Sequence, residues 1–331
     1  MKRFTGNLGD WIGATAVKRS LVRATSLLLA SIFCWLAPAA HGGLDRYQDL
    51  VVADGDLRSA PPKRGLRVTY LGTNAYLLES RSATLLVDPY FSRMSLLRVA
   101  LNLRALPKRE LIERYLPVRQ IDAVIVTHGH IDHLLDAAEV MTLTGARLIA
   151  SPTSVRMVES LGKNPSRCIP VVGGETVRLR GATVRPLAVQ HDRLFGRVPF
   201  DGPPRRLPPR SVSDWVCGEP LAFLIEMGGR RLYIESGGRP NGSVAEKIGP
   251  VDLAILGVAL PDARKRFPLT LQHLRPRYVL PSHQDDFFRP LSRGFVFGAG
   301  SDFPSVLRAF RAAPKSSSMI LLDYFQPWTL P

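Results

Sequence analysis

The chain predicts an α+β fold in which two β-sheets are covered by helices. Two features of the pattern carry this expectation. Short apolar runs first follow one another directly and then alternate with runs of helical spacing, as in sheets flanked by helices. The 331 residues are 45% apolar and 8% aromatic, enough for one large domain or two small ones and unlike a disordered, collagen-like or coiled-coil chain. There is no internal repeat and no low-complexity block.

The N-terminal segment comes first. Lys2, Arg3, Lys18, Arg19 and Arg23 stand against one acid, Asp10, and residues 24–40 follow without a charge. Ala37-Pro38-Ala39 then provides the small-x-small pattern of a signal-peptidase site. Residues 1–39 are therefore expected to be an export signal, placing the protein in the periplasm or outside the cell. The alternative is an inner-membrane anchor, for which the seventeen uncharged residues are short, since a spanning helix needs about 20. Residues 40–65 read as a linker, and residues 66–331 as the main domain.

Within that domain, residues 66–71, 75–79 and 84–87 read as three strands joined by tight turns at Gly72 and residues 80–82. Residues 109–115 have helical spacing, 122–126 (DAVIV) form a buried-strand run, and 134–143 are again helical. Strand 146–150, helix 154–161 and strands 169–172, 176–179 and 183–187 come next. Residues 221–226 and 231–235 form a hairpin across Gly228-Gly229. Later strands are expected at 252–256, 278–280 and 319–322, with helices near 269–274 and 304–311. Residues 192–220 break the rhythm, being rich in proline and arginine; a loop of this length is either a functional lid or a disordered insertion.

Charge and cysteine content bound the function. Lys+Arg total 44 against 28 Asp+Glu, a net charge of +16, and 36 of the basic residues are arginine. Such a balance suggests an anionic partner, although genome composition also produces arginine-rich chains. Loss of residues 1–39 would remove five basic residues and one acid, leaving +12. Three cysteines exclude a disulfide-built scaffold. Cys168 and Cys217 would remain after processing, as a bridge or as separate thiols.

The most informative stretch is Thr127-His128-Gly129-His130-Ile131-Asp132-His133, where three of the seven histidines fall within six positions directly after the DAVIV run. In extended backbone His128 and His130 project to one side and reach a common metal. Asp132 and His133 lie where the chain turns into a helix and face a second ion. Imidazole and carboxylate donors suit zinc or a similar divalent ion. No G-x-S-x-G elbow, phosphate-cradling glycine loop or G-x-G-x-x-G is present.

This HxHxDH pattern resembles the signature of the metallo-β-lactamase superfamily. Residues 70–75 (YLGTNA) and 85–92 (LLVDPYFS) are similar to the opening of its N-acylphosphatidylethanolamine phospholipase D and ascorbate-6-phosphate lactonase branches. Val189-Gln190-His191 and Pro281-Ser282-His283 match the later histidine motifs, so the resemblance spans about residues 66–288. It implies a four-layer αββα sandwich in which His128, His130 and His191 hold one metal and Asp132, His133 and His283 a second. Zn2+ is the expected ion, one or two per chain, with Mn2+ or Fe2+ as alternatives. Asp88 then reads as a carboxylate that orients a ligand histidine, or as a turn residue before Pro89. His41 lies at the signal boundary, and His273 reads as a surface or packing residue.

Two departures stand out. Relatives usually carry an aspartate bridging both metals after the strand matching 231–234, whereas this chain reads Glu235-Ser236-Gly237-Gly238. Glu235 becomes a substitute ligand only if the strand shifts register, and Ser236 or Gly237 occupies the aspartate position. Asn74 stands where those branches often have histidine.

The expected activity is hydrolysis through hydroxide generated on the metal, with Asp132 orienting the nucleophile or taking its proton. A phosphodiester, phospholipid-like or other anionic ester substrate is favoured, with a lactone as the alternative. A non-catalytic ligand-binding role is the further alternative, given the absent aspartate. Arg193, Arg197, Arg205, Arg206 and Arg210 in the long loop suit a phosphate, and Phe195, Phe200 and Trp215 suit an acyl chain, unless the loop is simply solvated. Association with a membrane surface fits the same features. No nucleic-acid partner is expected, since no RNA-binding or helicase-like segment is found.

Overall fold

The computed structural model describes residues 42–240, 248–260, 263–312 and 317–331. The export signal and anchor alternatives for residues 1–39 lie outside the described residues. Among these, no helix is long and apolar enough to cross a membrane.

The strands fall into two sheets packed face to face and flanked by helices. The first contains β1 (Leu66–Gly72), β2 (Ala75–Glu79), β3 (Thr84–Val87), β4 (Ala123–Ile125), β5 (Arg147–Ala150) and β6 (Cys168–Pro170), with β15 (Pro327–Leu330) on the edge beside β1. β1 to β3 form an antiparallel meander, and β3 to β6 run parallel. Their crossovers carry helices α2 (Arg109–Tyr115), α3 (Ile131–Leu134), α4 (Ala137–Thr144) and α5 (Pro152–Ser160), while α1 (Leu96–Ala100) lies after β3.

The second sheet runs β11 (Gly238–Pro240), β8 (Ala182–His191), β9 (Leu221–Met227), β10 (Arg230–Glu235), β12 (Leu253–Gly257), β13 (Tyr278–Ser282) and β14 (Ser318–Met319), with β7 (Val177–Leu179) also paired to β8. Alternation along its strands separates two cores. Phe223, Ile225, Leu232, Ile234 and Ile255 join the core between the sheets. Their neighbours Leu224, Tyr233, Ala254 and Leu256 pack outward against Phe267 and Leu271 of α6 (Ala263–Leu274) and Phe303 and Val306 of α7 (Phe303–Ala312). The hairpin between β9 and β10 turns through Gly228 and Gly229, whose φ of 59° and 73° glycine adopts freely.

Several elements differ from expectation for tertiary reasons. Residues 134–143 divide into α3 and α4 with a break at 135–136. β15 escapes recognition because it starts with proline and exists only by pairing with β1, far away in sequence. β11 is three residues that pair with the end of β8, which itself runs on to His191. Residues 40–65 were expected as a linker; from residue 42 they are described, and they run over the domain. Leu44 enters the outer core, Val51 bridges Leu321, and the Asp54 carboxylate accepts from Thr329 N. Cys168 and Cys217 are separate buried thiols, not a bridge.

Candidate metal centre

Strands deliver all the candidate residues to one end of the sandwich. β4 leads into the His128–His133 segment, β3 ends before Asp88, β8 ends on His191, and β13 ends before His283. Gly129 is required between the first two histidines: a Cβ there would run into Val216 O and Met157 Cε. Thr73, Asp88 and His283 all adopt positive φ (58°, 39° and 55°), a conformation costly for non-glycine residues and concentrated at functional sites. His283 is held in it by its N–H donating to Thr73 O at 2.7 Å.

The residues converge as two triads. Nitrogens of His128, His130 and His191 lie within 4.8 Å of one another, as do donor atoms of Asp132, His133 and His283. Backbone and side-chain oxygens fix which ring nitrogens face inward. His191 Nδ1 donates to Asp192 O at 2.6 Å, and His130 Nε2 donates to Pro199 O at 2.8 Å. Thr127 Oγ1 donates to Asp88 Oδ2 at 2.6 Å and so can only accept from His128 Nδ1, 3.1 Å away. The remaining nitrogens bear lone pairs and face each other: His128 Nε2 lies 2.8 Å from His130 Nδ1 and 3.3 Å from His191 Nε2.

Burial and mutual repulsion hold these three rings neutral. Burial and the other histidines lower His128 well below the usual imidazole range, burial and His191 bring His130 to about 3, and burial also lowers His191. Three converging lone pairs without a proton to share are satisfied by a cation among them, so the donor set fits a divalent metal.

The second triad has the opposite balance. Burial alone would lower His133, but the carboxylates of Asp132 and Asp88 outweigh it and push the ring up to about 10. Asp132 is held well below the usual carboxylate range: burial opposes ionisation, but His133 and His283 prevail. Asp132 Oδ2 sits 2.9 Å from His283 Nε2 and 3.3 Å from His133 Nε2. This cluster calls for positive charge between its donors, which a metal ion would also provide.

Asp88 is an orienting residue, fully buried. Its carboxylate accepts from His133 Nδ1 at 2.9 Å, Thr127 N at 2.7 Å and Asn74 Nδ2 at 2.7 Å. Asn74 in turn accepts from Ser282 Oγ at 2.6 Å, tying β3 to the strand before His283. Asn74 thus braces the centre and is not itself a ligand.

Glu235 joins neither triad. Its oxygens accept from Gly238 N at 2.7 Å, Gly257 N at 3.1 Å and Arg266 Nη1 at 2.5 Å, and burial raises it to about 7 against the pull of Arg266. Ser236 is buried with no hydrogen-bond partner on Oγ, in a turn that leans against Gly257, where a Cβ would strike Gly237 N.

Two buried arginines were missed by sequence reasoning. Arg266 binds Asp192 through both Nε and Nη2 as well as Glu235, bracing the carbonyl that holds His191. Arg93 pairs with Asp285 at 2.6 Å, two residues after His283, and Asp285 also accepts from Thr73 N and Tyr324 Oη. No local motif announces either arginine, because each meets its acids across large sequence separations.

The long loop has no regular element other than a short 3-10 turn at Val212–Asp214. Trp215, expected near substrate, is instead fully buried and donates Nε1 to Ala105 O at 3.3 Å, because the loop must be anchored where it rejoins the core. Phe200 does approach the centre, with its ring 6.2 Å from that of His130. Phe195 is exposed.

Comparison with known proteins agrees with this architecture. Residues 68–208 match the family model described as the metallo-beta-lactamase superfamily. A UPF0173 metal-dependent hydrolase of Rubrobacter xylanophilus is 28% identical over 232 residues, 67% of this chain and 83% of the relative. One from Methanosarcina mazei is 28% identical over 231 residues, covering 67% and 84%. Among solved structures, Igni18, a metallo hydrolase of Ignicoccus hospitalis, superposes with a TM-score of 0.55 at 18% identity, covering 80% of this chain and 98% of its own. A possible metal-dependent hydrolase of Veillonella parvula gives 0.53 at 14% identity, covering 80% and 100%.

Proposed function

We propose that this chain, a metal-dependent hydrolase carrying a metallo-beta-lactamase superfamily domain, cleaves an anionic ester, with a phosphodiester or phospholipid-like molecule as the substrate class. The observation that carries the reading is the pair of triads, His128/His130/His191 and Asp132/His133/His283, at the mouth of an arginine-bearing loop. His128, His130 and His191 would hold one divalent ion, and Asp132, His133 and His283 a second, zinc being the expected metal. Such an ion supplies Lewis acidity toward the ester oxygen and brings the ionisation of water near neutral pH.

The chain's own residues do the rest. Thr127, Pro199 and Asp192 fix the inward-facing nitrogens of the first triad, and Asp88 fixes His133. The Asp132 carboxylate, partly exposed at the mouth, orients the attacking water and receives its proton. Exposed Arg197, Arg205 and Arg206 suit the charge of a phosphate. Export by residues 1–39 belongs to the same reading, supported by the basic start and the Ala37-Pro38-Ala39 pattern.

The test is metal quantification joined to a panel of phosphodiester, phosphomonoester, lactone and β-lactam substrates. Turnover of a phosphodiester that is lost on chelation and restored by zinc is the expected result. Protein purified without bound zinc, manganese or iron, or turnover confined to lactones, would overturn it.

A further inference from the structure

Eight large apolar side chains are exposed among the described residues, and six of them fall in only two segments: Leu97, Leu101 and Leu103, and Phe195, Phe200 and Leu207. The exposures are not marginal, at 67% for Leu97, 51% for Leu101 and 58% for Phe195. Scattered single apolar residues are ordinary on a surface, whereas a concentration of them marks a contact. α1 in particular buries none of its residues.

The two segments lie far apart in the sequence, and the fold joins the end of the first, residues 102–105, to residues 210–213, which directly follow the second. Arg104 bridges Ser211, Ala105 N donates to Arg210 O at 2.8 Å, and Val212 N donates to Leu103 O at 3.2 Å. The Asn102 side chain completes the seam, donating to Ser213 Oγ and accepting from Ser213 N. At its other end the loop closes on the metal centre, where Pro199 O accepts from His130 Nε2.

The charge on these segments is one-sided. Arg98, Arg104, Arg197, Arg205, Arg206 and Arg210 are exposed there, against a single exposed acid, Asp201. Exposed apolar side chains and exposed guanidinium groups on the same segments match the interface of an anionic bilayer, where the apolar groups enter the acyl boundary and the cations meet phosphates.

We infer that residues 97–104 and 195–210 form one surface that seats on an anionic lipid bilayer, with the loop over His130 facing the headgroups. The surface is independent of which ester the centre cleaves. It brings the mouth of the centre to the membrane face and would present lipid-borne substrates to it.

The full-length protein carries the test, with two readouts. Partition onto phosphatidylglycerol-containing vesicles is compared with partition onto phosphatidylcholine vesicles by sedimentation. In a Cys34→Ser background, a polarity-sensitive fluorophore on Leu97→Cys reports burial of the surface itself, since Cys168 and Cys217 are buried. The label should shift to the blue on anionic vesicles only. Arg205→Gln with Arg206→Gln should weaken anionic partition roughly twentyfold, and Leu97→Ser with Leu101→Ser about tenfold. Val172→Ser and Leu269→Ser, exposed apolar residues elsewhere, should leave it unchanged. The proposal is overturned if the label fails to shift, if it shifts equally on neutral vesicles, or if the Leu97/Leu101 variant instead abolishes a self-association seen by light scattering.

Discussion

In the triad of His128, His130 and His191 every outer ring nitrogen meets an oxygen, whereas in the triad of Asp132, His133 and His283 only His133 has such a partner and His283 Nδ1 is buried without one. The first triad is neutral and built of like donors; the second contains a carboxylate and a ring that its neighbours drive toward the charged form. Their buried arginines differ in the same sense. Arg266 acts through Asp192 on the residue next to His191, and also holds Glu235, the residue before Ser236. Arg93 acts through Asp285 on the backbone around Thr73 and His283. The difference teaches that ligand orientation can be set either by a fixed acceptor on each ring or by a charged cluster around the site, and that the former defines the ring tautomers more completely.

The bluntest way to break the comparison is His128→Ala. It removes the ring whose Nε2 faces both other imidazoles, so turnover should fall by 10³-fold or more and one metal equivalent should be lost. Turnover at the wild-type rate would remove the mechanism. Next in size, Arg266→Met leaves Asp192 and Glu235 buried without their cation. Loss of one partner from such a cluster costs about 3–5 kcal/mol, a fall in Tm of about 10 °C that calorimetry would detect. Metal release from the variant should be faster, because the Asp192 carbonyl that holds His191 is loosened. Arg93→Met should lower Tm comparably while leaving the His191 side intact, and equal metal loss in both variants would erase the distinction between the two triads.

Asp88→Asn tests the second triad more gently. The amide keeps the shape but weakens the acceptor for His133 Nδ1, and such losses typically cost 10–100-fold in metal affinity or activity; competition with a chromogenic chelator measures it. The smallest change is a gain. Ser236→Asp should raise metal content toward filling both triads, read by elemental analysis, since Ser236 Oγ is buried without a partner in the turn that follows β10. Unaltered stoichiometry would show that this turn is too far from the ions to serve.

Much of the centre was legible before any coordinates. The HxHxDH segment packs four donors into one strand-to-helix turn, so its chemistry is local, whereas His191 and His283 follow only from the resemblance of Val189-Gln190-His191 and Pro281-Ser282-His283 to the superfamily's later histidine motifs. Asp88 was legible either as an orienting carboxylate, by resemblance, or as a turn residue before Pro89, and the pairing of β3 with β4 decides for the first. Arg93, Arg266, Asn74 and Asp285 were not, because a buried polar residue takes its meaning from partners that only folding supplies. Glu235 illustrates the same point: its type suits a ligand, yet its position on β10 turns it toward Arg266 and the backbone of Gly238 and Gly257. Trp215 looked like a substrate contact by composition and became the anchor of its loop.

By itself the sequence determined the two-sheet architecture, most of its strands and helices in order, and the four donors of the His128–His133 segment, because hydrophobic periodicity and donor spacing are properties of contiguous chain; His191 and His283 came from the resemblance of their motifs. The tertiary structure alone decided which ring nitrogens face inward, which arginines brace them, and that residues 102–105 lie beside residues 210–213. Those are pairings between distant segments. They depend on how the sheets twist and close, and no local pattern encodes them.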